Sequence, residues 1–307
     1  MSKLIRIGTR DSPLAIWQAT QVMDRLQAEG RQAELVFIKS EGDQDTTTPL
    51  YEMGVQGVFT RSLDTALLNT RIDIAVHSMK DVPTKLPKGI TQAAVLKRGP
   101  VSDLLVFKTA PDQIYHESYV AHIATSSIRR RAQWLHWFPG HQVHNLRGNI
   151  NTRLEKLKNE PWDGAIFARA GLERIHLLPE NSIELKWMLP APAQGAIMIV
   201  CREDDEFVFE SCQVCNDADT ALCTMIERDF LRTLLGGCST PISALAVIQN
   251  GLVIFTGNIL SIDGAKKVQT EKKISVRDAA EVGKEAALEL LRNGGSEIAD
   301  SIRYAAQ

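Results

Sequence analysis

The chain has 307 residues, too many for one ordinary core, and its 44% hydrophobic and 23% charged composition is that of a soluble globular protein of two or three domains. Thirty-five Lys and Arg against 37 Asp and Glu leave a formal net charge of -2, which exerts no global pull toward nucleic acid. The chain has no apolar run of membrane-span length, no signal-peptide core near its start, and five cysteines, an odd number that argues for reduced thiols, so a cytoplasmic protein is expected.

In chain order, Leu4–Ile7 reads as a short strand. Ser12 suits a helix N-cap and Pro13 the first helical position, with Ala15, Ala19, Val22 and Leu26 at helical spacing toward Gly30. Leu35–Ile38 is a second strand, and polar Ser40–Gly57 is a long loop of the kind that often serves function. A helix around Phe59–Leu68 leads to a buried-type strand, Ile72–Val76. The rhythm resumes with strand Val120–Ala124, helix Ile128–Trp137, strand Val143–Leu146, a helix from about Thr152, and strand Ala165–Ala168. Such alternation implies mostly parallel sheets with helices on both faces. Ala196–Val200 is a return segment, and Cys212–Asp219 a polar linker. Thr220–Leu235 is a strong helix with Leu222, Ile226, Phe230 and Leu234 on one stripe. Strands Ala244–Ile248, Leu252–Ile259 and Lys267–Val276 and a helix over Ala279–Leu291 then make a small α+β unit.

Ligands of open α/β sheets bind beyond the carboxyl ends of the strands. There the chain places His77-Ser78-Met79-Lys80-Asp81-Val82-Pro83, then Thr125-Ser126-Ser127 running into Arg129, Arg130 and Arg131, then Arg147-Gly148-Asn149 through Arg153, and Arg10 with Ser12 after the first strand. Between Ser118 and Leu154 there are five arginines and four histidines but no Asp or Glu. Arginines in a helix's first turn oppose its dipole, a conflict that a bound carboxylate or phosphate removes. A solvated basic face is the plainer alternative, and a nucleic-acid ligand is weakened because only Trp134 and Trp137 interleave aromatics with the basic residues. The Cys212–Cys215 pair lacks the second pair that a zinc site would want, so no metal is expected. Cys238 follows Gly236-Gly237, which let the preceding helix stop and expose the next side chain; a small buried hydrophobe is the alternative there.

Ile7-Gly8-Thr9-Arg10-Asp11-Ser12-Pro13-Leu14-Ala15, His77–Pro83, Thr125–Arg130, Leu146–Arg153, Gln194-Gly195-Ala196 and Gly236-Gly237-Cys238, in that order, resemble the porphobilinogen deaminase (hydroxymethylbilane synthase) family over nearly the whole chain. The resemblance implies an α/β fold of three domains. Two are lobes like those of type II periplasmic binding proteins, residues 1–96 with 195–216 and residues 97–194; the third is a small α+β domain, residues 217–307. It also implies a covalent dipyrromethane cofactor joined by a thioether to Cys238, and head-to-tail condensation of four porphobilinogens, with loss of ammonia, to hydroxymethylbilane. By resemblance Arg10, Ser12, Thr125, Ser127, Arg129, Arg130, Arg147, Arg153, Arg174 and Gln194 bind cofactor or substrate, while Ser78 and Lys80 line the same cleft. Asp81, at the matching position, stabilises positive charge on pyrrole nitrogens and moves protons. Gln56 stands where the family commonly has a lysine. A monomer is implied, with porphobilinogen as the small-molecule partner and neither nucleic acid nor membrane. The alternative is a noncatalytic binder of small organic anions on the same two-lobed scaffold.

Overall fold

Residues 3–39, 60–234 and 240–305 are described by a computed structural model. Three sheets organise them. The first is built from β1 (Ile5–Thr9), β2 (Ala33–Phe37), β3 (Ile74–Ser78), β4 (Ile90–Val95) and, much later in the chain, β10 (Ile197–Arg202). The second uses β5 (Asp103–Phe107), β6 (His122–Ala124), β7 (Gln142–His144), β8 (Gly164–Ala168) and β9 (Ser182–Glu184). Strand order is β2-β1-β3-β10-β4 in one and β7-β6-β8-β5-β9 in the other, so the two share one plan. Three strands run parallel, and the fourth, β10 or β5, lies antiparallel to both of its neighbours. The sheets are therefore mixed rather than mostly parallel, because that fourth strand arrives by a crossing between lobes and not by a strand–helix–strand unit.

Helices cover these sheets for local reasons visible in the chain. α1 (Pro13–Ala28) begins where Ser12 Oγ accepts the Ala15 amide at 3.4 Å, and buries Ala19, Val22 and Leu26 with Ile5, Ile7 and Ile74. α2 (Arg61–Leu68) covers the other face through Leu63 and Leu67. The second lobe carries α3 (Pro111–Ile114), α4 (Ile128–Trp137), α5 (Ile150–Asn159) and α6 (Arg169–Arg174). β3 starts two residues later than expected, so His77 and Ser78 lie within the strand, opposite Met198 and Ile197 of β10.

The crossings at 96–102 and 185–196 run side by side. Leu96 donates to Ile197 O at 3.0 Å, Gly99 to Gly195 O at 3.1 Å, and Gln194 Nε2 to Val101 O at 2.6 Å. Gly195 sits at φ +84°, and a Cβ there would lie 2.7 Å from Pro100 O and 2.8 Å from Gly99 O, so the close approach of the two crossings requires glycine.

A further expectation changes. Cys212–Asp219 is no polar linker: α7 (Glu206–Cys212) and the turn after it bury Cys212 and Cys215 beside Cys201 in the first lobe's core. The helix expected over Ala279–Leu291 is present as α9 (Val282–Leu290), and an unforeseen helix, α10 (Ser296–Ala305), follows it after a break at Asn293 and at Gly294, φ +102°. Both pack with α8 (Ala218–Thr233) on the antiparallel sheet β11 (Ile242–Gln249), β12 (Leu252–Leu260) and β13 (Lys267–Ser275). The centre of that core is Phe230 set edge-on to Phe255, ring centroids 5.1 Å apart. Among the described residues no helix is long and apolar enough to cross a membrane.

Candidate active site

The first lobe presents the end of β3. From Ser78 the chain turns through a single 3-10 turn, Met79–Asp81, with Met79 buried and its amide held by Ala196 O at 3.0 Å. Ser78 Oγ accepts from Gln18 Nε2 at 2.9 Å. Lys80 Nζ reaches Gln194 Oε1 at 3.5 Å, on the returning crossing. Burial pushes Lys80 down to about 8; Arg130 and Arg129 act in the same direction, while Asp81 and Asp103 oppose them. His77 is buried and is pushed down to about 4, first by burial and then by the field of Arg10, so its imidazole is neutral. The Asp81 carboxylate makes no hydrogen bond or ion pair among the described residues.

The second lobe contributes two strand-to-helix corners. At the first, Thr125 Oγ1 accepts the Ser127 amide at 3.2 Å, and Ser127 Oγ caps α4 by accepting the Arg130 amide at 3.5 Å. Arg129 and Arg130 turn back onto Asp103, which opens β5: their Nη2 atoms lie 2.6 and 2.7 Å from its two carboxylate oxygens. Their Nη1 atoms donate to Leu189 O at 2.6 Å and Ile166 O at 2.9 Å. Burial alone would raise Asp103, but the fields and hydrogen bonds of the two guanidiniums hold it well below the usual carboxylate range. Gln194 Nε2 adds a third donor to that carboxylate at 2.9 Å. The Arg129–Arg130 pair is thus half neutralised from within, by a residue outside the arginine-rich stretch that the sequence reading missed. Each guanidinium keeps spare donors, and the buried Nε atoms of Arg129 and Arg130 have no acceptor among the described residues.

The second corner is different. Gly148, at φ +110°, turns the chain so that Asn149 Oδ1 can cap α5 by accepting the Thr152 amide at 2.9 Å. Arg153 Nε donates to Gly148 O at 2.7 Å. Burial pushes the Arg153 guanidinium down to about 10, the neighbouring cations Arg130 and Arg147 push it the same way, and Asp81 of the other lobe opposes them. Arg174 lies at the lobe junction, donating to Gly195 O at 2.6 Å over the Trp17 ring, and burial brings it to about 10. Lys80, Asp81, Asp103, Arg129, Arg130, Arg147 and Arg153 thus share one electrostatic neighbourhood drawn from both lobes. Arg10 belongs to its first-lobe edge beside His77.

The third domain closes on both crossings through a salt bridge that sequence reading also missed. Glu227 on α8 is fully buried, meets Arg98 at 2.6 and 2.9 Å, and accepts the amides of Ala193 at 2.6 Å and Ala246 at 2.8 Å. Glu227 lies four residues after Cys223 and seven before Leu234, at the edge of the helix's apolar stripe, and a charge at that position was a signal that it is buried and paired. Cys201, Cys212, Cys215 and Cys223 are buried free thiols; burial raises all four, with Cys201, Cys215 and Cys223 reaching about 11. Cys238, the glycines before it and the Ser40–Gly57 loop with Gln56 lie outside the described residues.

The two α/β lobes thus bring together a buried group of guanidinium and ammonium ions, opposed by Asp81, whose carboxylate has no hydrogen bond or ion pair among the described residues. A family model described as "Porphobilinogen deaminase, dipyromethane cofactor binding domain" matches residues 5–210, and one described as "Porphobilinogen deaminase, C-terminal domain" matches residues 221–292. The porphobilinogen deaminase of Desulforamulus reducens is 38% identical over 307 residues, covering 99% of each chain. The chloroplastic porphobilinogen deaminase of Oryza sativa subsp. japonica is 40% identical over 311 residues, covering 98% of this chain and 87% of its own. A solved periplasmic binding protein of Salmonella typhimurium aligns with 72% of this chain and 94% of its own at 10% identity and a TM-score of 0.43. The chain belongs to the porphobilinogen deaminase family.

A dipyrromethane fits these residues chemically. Its several carboxylates need a site richer in cations than in anions, and the orphaned Nε donors of Arg129 and Arg130 are of the right kind for them.

Proposed function

We propose that the chain joins four porphobilinogens head to tail, with loss of ammonia, to give hydroxymethylbilane, and that Cys238 carries the dipyrromethane primer. When bound, the primer supplies the terminal pyrrole carbon on which the product grows. Arg153, Arg147 and Arg10 hold carboxylates of primer and substrate, as do the spare donors of Arg129 and Arg130, with Arg174 at the lobe junction. Lys80 adds an ammonium at the mouth of the first lobe, and Ser78 lines the same wall. Ser12, Thr125 and Ser127 shape the helix ends that face the ligand, and Gln194 fixes the crossing between lobes. Asp81 uses its uncommitted carboxylate to stabilise positive charge on a pyrrole nitrogen and to accept a proton from the pyrrole carbon where the new bond forms.

The observation that carries this reading is that the field of Asp81, in the first lobe, reaches Arg153 in the second, within a cationic surround. We also assign residues 1–96 with 195–216, 97–194 and 217–307 to three domains of a cytoplasmic monomer. The test is intact mass spectrometry of the purified protein together with porphobilinogen consumption. The expected mass exceeds the polypeptide by two linked pyrroles, an increment absent from Cys238→Ser. A bare polypeptide mass, with porphobilinogen bound but not consumed, would make the chain a noncatalytic anion binder instead.

A further inference from the structure

Among the described residues Asp81 is held by its backbone alone, and that backbone is gripped from another domain. The turn that carries it is one 3-10 turn long, has no side-chain cap, and leaves the carbonyls after it outside any sheet. Arg228 reaches these carbonyls from α8. Its Nη1 donates to Val82 O at 2.9 Å and, more weakly, to Met79 O at 3.4 Å, and its Nη2 donates to Pro83 O at 2.6 Å. The contacts fall on both sides of Asp81 in the chain. From the first lobe the turn has the Met79 amide on Ala196 O and its own Val82-to-Met79 bond at 3.2 Å.

We propose that Arg228 is a positioning residue for Asp81, setting where the carboxylate stands relative to the domain that bears Cys238. The inference rests on the role given to Asp81 above. A planar guanidinium can serve three carbonyls at fixed angles, whereas an ammonium on a flexible stem cannot hold the same fan. The carbonyls are partly buried, so removing their donor leaves acceptors that water reaches poorly, and the turn relaxes. Adjacent residues of α8 thus hold different parts of the molecule: Glu227 takes the crossings, and Arg228 takes the catalytic turn. A shift of about 1 Å in a reacting group can lower a rate by about 100-fold, so a remote grip on the turn acts on kcat rather than on substrate affinity.

The experiment is a double-mutant cycle on holoenzyme whose cofactor content is verified by mass. Arg228→Gln should lower kcat by about 10- to 100-fold with KM changed by less than about twofold, and Arg228→Lys should recover only part of the loss. Combined with Asp81→Asn, Arg228→Gln should lower the residual kcat by less than about twofold, because the group it positions is already disabled. Multiplicative losses in the double variant, or a rise in KM without loss of kcat, would overturn the proposal. Hydrogen exchange keeps it testable if turnover itself fails. Amides of Met79–Val82 should exchange faster in Arg228→Gln while those of β11 and β12 keep their rates; equal acceleration throughout would mean general unfolding and would also overturn it. Wild-type protein that consumes no porphobilinogen defeats the functional reading, yet the exchange measurement still decides whether Arg228 grips the turn.

Discussion

The two strand-to-helix corners of the second lobe look alike in sequence and behave differently in the fold. Each ends a parallel strand, caps a helix with a small polar side chain and carries arginines into the first turn. At the α4 corner, Asp103 meets Arg129 and Arg130 inside the protein. At the α5 corner, the Arg153 side chain has only a backbone carbonyl as its hydrogen-bond partner among the described residues, sits among cations, and has Asp81 in the opposite lobe as its opposing charge. Counting arginines therefore overstates ligand contacts. One corner is chiefly architecture that keeps some donors spare, and at the other Arg153 has no carboxylate bonded to it among the described residues.

The largest expected effect separates these roles. Asp103→Asn leaves two buried guanidiniums without their counter-ion and should lower unfolding free energy by about 3–5 kcal/mol, read from urea melts. A folded Asp103 held far below its unfolded value contributes stability above pH of about 4, and loses it only as pH falls through its strongly depressed folded value, so wild type should resist acid better than the variant. Arg153→Leu should do the reverse, leaving the urea midpoint unchanged or higher while raising KM for porphobilinogen by about 10- to 100-fold, as expected for losing a charge-assisted contact. If Arg153→Leu unfolds the protein as Asp103→Asn does, the two corners are equivalent and the comparison breaks.

A smaller effect sharpens it through pH. Lys80, brought down to about 8, loses its charge as pH rises through that value, so attraction for a carboxylated substrate and kcat/KM should fall there. In Lys80→Arg that limb should move to higher pH, because a guanidinium stays protonated. Stability should respond with the opposite sign: between pH of about 8 and about 10 the unfolded lysine holds a proton that the folded one has released, so Lys80 favours folding more as pH rises. The smallest expected response is none. In native protein a thiol reagent should leave Cys201, Cys212, Cys215 and Cys223 untouched; on unfolding those four should react, and a fifth equivalent would show that Cys238 carries no thioether.

Much of this was legible where local chemistry decides structure. Helix Ile128–Trp137 has the bounds its sequence predicts, because Ser127 caps one end and Pro139 ends the other. The strand ends that lead to Lys80, Asp81, Arg147 and Arg153 were readable as places where polar groups gather, because buried runs lead directly into them. β4 and β5 went unread: Ile90–Val95 alternates poorly, and Asp103 before Leu104–Val106 looks like an ordinary turn residue. Its partners lie 26 and 27 residues further along the chain, and the sheet order that sets β8 between β5 and β6 brings them together. Arg228 was hidden for a related reason. Charges on a helix's polar face signal water in sequence, and here that face looks onto another domain.

The position of β10 bears on how the protein is made. It lies between β3 and β4, which do not pair with each other, so the first sheet has a gap until residues 197–202 leave the ribosome. The second sheet needs only the contiguous stretch 103–184. On a growing chain the later-encoded lobe can therefore complete its hydrogen bonding first, while the amino-terminal half waits with exposed strand edges open to misassociation. Slow translation just past residue 202 would favour correct assembly, whereas truncation before residue 197 would leave one finished lobe attached to an aggregation-prone remnant.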